Sequence, residues 1–376
     1  MKKRVVVVGT ILASALLFAA CGRDSSSRGS NDKIQVTGQA NDHQYQGVIQ
    51  NGRYKTAKAR GVDLSQDSGN QLNLKSFEDG MTELSQQQFS PKSYVFQEGQ
   101  YLTKKTVTKW LGRKSKDNPN GLNPADNGQK DANKRNPMYV QQIGEQDYMK
   151  QDGNKLTLRG MTIGIGMNQK DYYEKEQYGP TFTTNIPTST MEAKGREAAQ
   201  TVLARVRKLP GVGNDVPILI GMYKQAPNDS LVGGVFYEYA VSYHGTDLGD
   251  WKQTDFQNVV FPATVNHSVP NSNDEQSFEN FKNKIQNFFP NLAGVTAQAR
   301  YKGKQIQGMK VTITTQFYSE TEITHFSQYV AQAAKTYLPA QIPIDITVNG
   351  ANGQTQSVIT RPADGGKFTA QVLNSY

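Results

Sequence analysis

Apolar residues recur along this chain with different periods, and each period predicts a different element. From Val5 to Ala20 almost every residue is apolar or small, with Gly9, Thr10 and Ser14 the exceptions. Residues 21–40 are rich in Ser, Gly, Asp and Asn, and Ile34 and Val36 are their only sizeable apolar positions. That composition predicts a flexible tether with a reach on the order of 25 Å. Helical spacing appears between Val62 and Leu111, where Phe77, Met81 and Leu84 share one face and Val107, Trp110 and Leu111 another. Tyr94 to Tyr101 reads as extended. Residues 112–137 turn polar, and Asn118-Pro119-Asn120-Gly121 and Asn123-Pro124 break any regular element, so a long loop is predicted.

Beyond the loop, the same succession of periods occurs twice. Met161, Ile163, Ile165 and Met167 alternate as in a half-buried strand. Ser189 and Glu192 then have capping-box spacing, and a helix with Ala199, Val202, Val206 and Leu209 on one stripe stops at Pro210. Strands Val216–Ile220 and Val235–Tyr243 follow. The second succession opens with Val311, Ile313, Thr315 and Phe317 on one strand face. Ser319 and Glu322 cap a helix that carries Ile323, Phe326, Val330, Ala333 and Tyr337 and stops at Leu338-Pro339. Ile342–Ile346 and a last strand near Val358 complete it. Between the two, Phe278, Phe281, Ile285 and Phe288 mark one more amphipathic helix, and Val295–Tyr301 a strand.

The expected class is α+β, with mostly antiparallel sheets, helices packed on one face, and a suggested tandem β-α-β-β repeat at about 160–243 and 308–362. Gly221 to Gly234 carries no helical pattern that could serve as a parallel crossover. The expected divisions are an export signal over 1–20, the tether over 21–40, a mostly helical part over 41–150 and an α+β region over 151–376.

Composition changes this picture chiefly at the N-terminus. Lys2, Lys3 and Arg4 precede the apolar run, which is short for a membrane span and ends in Ala19 and Ala20 before Cys21. Cys21 is the sole cysteine of 376 residues. Leu17-Phe18-Ala19-Ala20-Cys21 resembles a bacterial lipobox, with Phe18 where leucine is usual, which predicts cleavage between Ala20 and Cys21 and acylation of the Cys21 sulfur. An ordinary signal peptide cut upstream is the alternative. Loss of residues 1–20 would lower the formal charge from +9 to +6. Export and this basic balance favour anionic partners such as lipid headgroups, wall polymer or peptide, and argue against nucleic acid. Lys104, Lys105, Lys109, Arg113, Lys114 and Lys116 form the clearest basic run.

Motifs of catalytic chemistry are scarce in the sequence. His43, His244, His267 and His325 are far apart, none has a second histidine or cysteine at metal spacing, and no metal or cofactor is expected. There is no Gly-x-Ser-x-Gly elbow. Gly164-Ile165-Gly166 lacks the third glycine of a dinucleotide loop and reads as close strand packing. Asn118-Pro119-Asn120-Gly121 is better read as a turn than as a calcium loop, because Lys116 and Asn127 stand where carboxylates are needed. Tyr237, Tyr239 and Tyr243, alternating with Val235 and Val241, would share one strand face, either as core or as a stacking surface for sugar or peptide.

Several segments together carry a family resemblance. They are Phe77-Glu78-Asp79-Gly80, Gln97-Glu98-Gly99-Gln100 with Lys104-Lys105-Thr106, Gly121-Leu122-Asn123-Pro124, Gly160-Met161-Thr162-Ile163-Gly164, Gly179-Pro180-Thr181-Phe182, Met222-Tyr223-Lys224-Gln225 and Gln328-Tyr329-Val330. As a set they resemble the CamS family of sex-pheromone-precursor lipoproteins of Gram-positive bacteria. The resemblance implies that the cleaved signal segment is the source of a short hydrophobic peptide pheromone, here Ser14-Ala15-Leu16-Leu17-Phe18-Ala19-Ala20. It also implies a lipoprotein anchored on the outer face of the membrane, met by lipoprotein-processing enzymes, with no catalytic residues. A surface binding protein for peptide, glycan or wall polymer is the second expectation, and a wall-modifying hydrolase the third.

Overall fold

Two sheets organise the computed structural model, which describes residues 33–39, 43–62, 69–153, 155–263, 269–288, 294–316 and 319–373. The signal segment, Cys21 and Phe317 lie outside the described residues. The first part contains β1 (Ile34–Val36), β2 (Gln46–Gln50), β3 (Arg53–Tyr54), α1 (Leu72–Gln88), β4 (Val95–Glu98), α2 (Lys104–Leu111), β5 (Val140–Asp152) and β6 (Lys155–Met167). It continues with the separate hairpin β7 (Lys170–Glu174) and β8 (Thr181–Asn185), then α3 (Thr188–Val206), β9 (Ile218–Lys224), β10 (Val235–Ser242) and β11 (Lys252–Gln253). The second part contains β12 (Phe256–Phe261), α4 (Ser272–Gln286), β13 (Gly294–Lys302), β14 (Gln305–Thr315), α5 (Glu320–Tyr337), β15 (Ile344–Gly350), β16 (Thr355–Arg361) and β17 (Thr369–Val372). None of these helices is long and apolar enough to cross a membrane.

The first sheet runs β1-β2-β4-β5-β6-β9-β10-β11, with β3 beside β2, and the second runs β12 to β17 in order. Both are mostly antiparallel. The parallel pairs are β2 with β4, β6 with β9, and β14 with β15. In both sheets a strand leads through a helix to a parallel neighbour and then to an antiparallel one. The likeness is one of topology, since the first unit inserts the β7–β8 hairpin before its helix. The two parts meet where Asn258 Nδ2 donates to the carbonyls of Gly233 and Gly234 and where Arg300 pairs with Glu83 at 2.5 Å.

In the second sheet α4 and α5 cover one face through a single core of Phe278, Phe281, Phe326, Val330 and strand residues such as Ile313 and Ile346. The first sheet is covered on both faces. α3 buries Ala199, Val202 and Val206 against Ile163, Ile165 and Ile220, while α1 lays Phe77, Met81 and Leu84 on the opposite side. The register shows how α1 comes so close, because Gly144 pairs with Gly164 and Gly164 with Gly221, a row of three glycines across adjacent strands. A Cβ at Gly164 would lie 2.6 Å from Phe77 Cζ and 2.8 Å from Met81 Sδ. Phe77, Tyr223 and Phe236 fill the space so opened, with ring centroids 5.2–5.5 Å apart. Such pairs contribute about 0.5–1.5 kcal/mol each beyond their burial. Gly164-Ile165-Gly166 is therefore a packing device, as its strand pattern suggested.

Several boundaries differ from expectation. Ile34–Val36 is an edge strand paired with β2, so order begins inside the stretch expected to be tether. Residues 41–150 are not mostly helical, since β2, β3, β4 and most of β5 lie there, and position 150 falls within β5. β2, β3 and β4 are only two to five residues long, too short to establish a period. β5 hides for another reason. Its buried positions include Gln142, Gln146 and Asp147, which no hydrophobic pattern marks. α3 begins at Thr188 with no side-chain cap, which places Ser189 inside its first turn. Ser319 does stand at the start of α5, but its side chain makes no capping hydrogen bond.

Candidate functional site

Tyr237, Tyr239 and Tyr243, the last just beyond the end of β10, do not share a face. A β-bulge between Phe236 and Glu238 inserts Tyr237 as an extra residue and resets the alternation. Tyr237 turns toward α3, where a Cβ on Gly195 would lie 3.1 Å from its hydroxyl. That hydroxyl is buried without a hydrogen-bond partner, and burial pushes its pKa up. Tyr239 and Tyr243 turn to the α1 side and reach Gln87 Oε1 at 3.0 Å and Gln88 Oε1 at 3.1 Å. No common stacking platform results. His325 is exposed on α5, bonded within its own helix to the carbonyl of Thr321. Among the described residues no group of three or more His, Cys, Asp or Glu could hold a metal ion.

A polar pocket of about 130 Å³ forms elsewhere, at the carboxyl ends of the parallel strands β6 and β9. Asn168 and Gln225 are the first residues beyond those ends, Gln141 stands at the start of β5, and Asn73 comes from the first turn of α1. In open sheets, crevices outside the carboxyl ends of parallel strands are common ligand sites because connections diverge there. Most polar groups of the wall are occupied. Asn73 Oδ1 accepts from the amides of Ala226 and Gly234, both at 2.9 Å. Asn168 Nδ2 donates to the carbonyl of Met138 at 3.0 Å, and Asp171 pairs with Arg135 at 2.5 Å.

Gln225 is the exception, through its bond to Gln142, a buried residue that is not part of the wall. Gln225 Nε2 donates to Gln142 Oε1 at 3.0 Å, which leaves Gln142 Nε2 and Gln225 Oε1 buried with no partner. Interchanging oxygen and nitrogen in both amides preserves the single bond and again leaves one donor and one acceptor. Each orphan costs roughly 1–3 kcal/mol if nothing fills it. Composition gave no reason to single out either residue. The only sequence signal was that Gln225 closes the segment Met222-Tyr223-Lys224-Gln225.

A second polar cluster is structural. Glu145 accepts from the amides of Tyr101 (2.9 Å) and Leu102 (2.6 Å), and Asp147 accepts from that of Gln100 (2.9 Å), so the segment Gln100–Leu102 wraps two carboxyls on β5. Burial, then the adjacent Glu145 charge, push the Asp147 carboxyl well above the usual range. The folded protein thus holds a proton that the unfolded chain releases near pH ~4, and stability falls as pH rises through that window and on to the raised value. Asp147→Asn mimics the protonated form. Its melting temperature is expected to improve relative to the parent progressively as pH rises above about 4. Parallel melting curves across that range would remove the proton from Asp147.

Fold and pocket together define an α+β protein with a small polar crevice. A family profile, the CamS sex pheromone cAM373 precursor, matches residues 54–366. The chain belongs to that family. It is similar to the sex pheromone precursor of Lactobacillus salivarius subsp. salivarius, with 60% identity, 91% of this chain and 100% of that one covered, and a TM-score of 0.88. It is also similar to the C-terminal domain of the sex pheromone staph-cAM373 precursor of Staphylococcus aureus, with 27% identity, 82% and 98% covered, and a TM-score of 0.69. No curated protein sequence matches the chain.

Proposed function

We propose that this protein is an exported, non-enzymatic lipoprotein held on the extracellular face of the cell membrane through an acylated Cys21. In this reading, cleavage after Ala20 frees a signal segment from which Ser14–Ala20 is trimmed as a hydrophobic peptide pheromone. The carrying observation is the position of the chain's sole cysteine, directly after an apolar run that ends in Ala19 and Ala20. Membership of a pheromone-precursor family supports it. The processing partners are the enzymes that acylate and cleave lipoproteins, and the basic run from Lys104 to Lys116 suits anionic headgroups or wall polymer.

Intact mass of the protein extracted from membranes tests this directly. An N-terminus at acylated Cys21 is expected, with Cys21→Ala remaining at full precursor length. A chain that carries no lipid and is cut elsewhere would remove both the anchor and the pheromone boundary. A second reading, a surface binding module, is favoured by one observation, the polar pocket at the carboxyl ends of β6 and β9.

A further inference from the structure

We infer that a basic groove beside β1 is the face this protein lays on an anionic lipid bilayer, with Lys55 and Lys58 at the headgroup phosphates and the apolar wall against the lipid beneath them. The inference deepens the lipoprotein reading by naming the docking surface and the lipid charge, and it rests on that reading for placing a membrane nearby. The groove encloses about 490 Å³. Its apolar wall consists of the buried Val48 and Met149 and the half-buried Ile34, Leu156 and Leu209. Lys55 and Lys58 line it as well, and no carboxylate does. Among the described residues neither lysine is held in an ion pair. Lysine stems lie readily along apolar surface while the ammonium reaches outward, so the two lysines and this wall suit one amphipathic partner.

Charge is sorted along one short segment of chain. Lys55 and Lys58 line the groove, whereas Ala57, Ala59 and Arg60 line a separate recess that holds Glu78, Asp79, Glu98 and Glu145. Lys58 carries the basic surface on to α2, its carbonyl accepting from the amide of Lys104 at 3.2 Å. Lys104 and Lys105 are exposed in the first turn of α2, which has no acidic residue. Cations at that end oppose the helix dipole, an arrangement that folding alone disfavours and a facing anionic surface favours. The way the chain enters the fold agrees. Ile34 lines the groove and follows Cys21 by about thirteen residues, a length with a random-coil reach on the order of 20 Å. Lipid on Cys21 would therefore keep the groove close to the headgroups. A wall polymer offers similar phosphates but nothing for the apolar wall, which makes the bilayer the better partner.

A chain that begins at residue 22 keeps every described residue and lacks the sulfur that would carry lipid, so its sedimentation with vesicles reports the folded surface alone. The probes are vesicles of equal parts phosphatidylglycerol and phosphatidylcholine, and vesicles of phosphatidylcholine only. Binding is expected to the first and not the second, and it should weaken as salt rises from about 0.05 to about 0.5 M. Each lysine near such a surface is worth about fivefold, so Lys55→Gln with Lys58→Gln should lower partitioning about 30-fold. Lys104→Gln with Lys105→Gln should weaken binding to a similar extent while raising the melting temperature, which a merely structural role for these lysines would not do. Ile34→Ser with Leu156→Ser should weaken binding severalfold at every salt concentration. Lys284→Gln with Lys335→Gln, exposed on α4 and α5, should stay within about twofold of the parent. Absence of vesicle binding, equal binding to phosphatidylcholine, or an equal loss in the α4 and α5 pair would overturn the assignment. Binding untouched by the Ile34 and Leu156 changes would also overturn it, in favour of a wall polymer. Acylated Cys21 without vesicle binding by the shortened chain would remove this face and leave the anchor, whereas vesicle binding with an unmodified Cys21 would do the reverse.

Discussion

Gly164→Val is expected to lower the melting temperature by about 6–12 °C, the equivalent of roughly 3 kcal/mol in a part of this size. Gly164 is the central member of the Gly144, Gly164, Gly221 row. The new Cβ would stand 2.6 Å from Phe77 Cζ and 2.8 Å from Met81 Sδ, and Phe77 is itself wedged against Tyr223 and Phe236. Neither neighbour can withdraw without lifting α1 from the sheet. Gly294→Ala supplies the contrast, because a Cβ there meets nothing within 4 Å, and a change within about 0.5 kcal/mol is expected. Should the two variants melt together, the account of α1 packing on a glycine floor would be wrong.

The second large effect is expected at Asn123. Its Oδ1 accepts from the amides of Tyr139 (2.7 Å) and Val140 (2.9 Å), and its Nδ2 donates to the carbonyls of Leu111 (2.8 Å) and Val140 (2.9 Å). One side chain thereby ties the end of α2 to the start of β5 and closes the long polar loop between them. It is 1% exposed. Asn123→Ala strands four backbone groups with little water nearby, and a loss of about 3–5 kcal/mol is expected from chemical denaturation. Asn120→Ala, three residues earlier on the exposed turn, should cost under ~0.5 kcal/mol. Equal midpoints for the two would show that the loop is held by something other than Asn123.

These two residues also mark what could be read beforehand. α1, α2, α3 and α5, the strands flanking α3 and α5 and the 112–137 loop were legible because their apolar periods are long or their breakers dense, whereas the parallel pairing of those strands was not. β5 was not, since its inward positions carry Gly144, Gln146 and Asp147, and a strand buried through glycines and amides leaves no alternation of hydropathy. The tyrosine face of β10 failed because a bulge shifts alternation by one residue, and nothing in Val235–Tyr243 marks where the extra residue goes. The polar pocket escaped notice because Asn73, Gln141, Asn168 and Gln225 lie far apart in sequence and meet only when β6 and β9 pair. Segments that carried the family resemblance without an obvious chemical motif acquire structural reasons: in Gln97–Gln100, Gly99 lets the chain lie against Glu145 and Gln100 donates to the Asp147 carboxyl, and Gly121–Pro124 contains the Asn123 latch.

The glycine floor also sets an order of events for a nascent chain. α1 is complete at residue 88, yet the surface it rests on includes Gly144, Gly164 and Gly221, the last supplied by β9 more than 130 residues later. A helix whose Phe77, Met81 and Leu84 have no platform cannot remain stably folded alone. The first half of the protein must therefore stay open until β9 has emerged from the ribosome, whereas the second sheet draws on strands and helices that are nearly contiguous. Synthesis order and folding order thus diverge, and the N-terminal half is the part with the longest exposure to chaperones, proteases and misassembly.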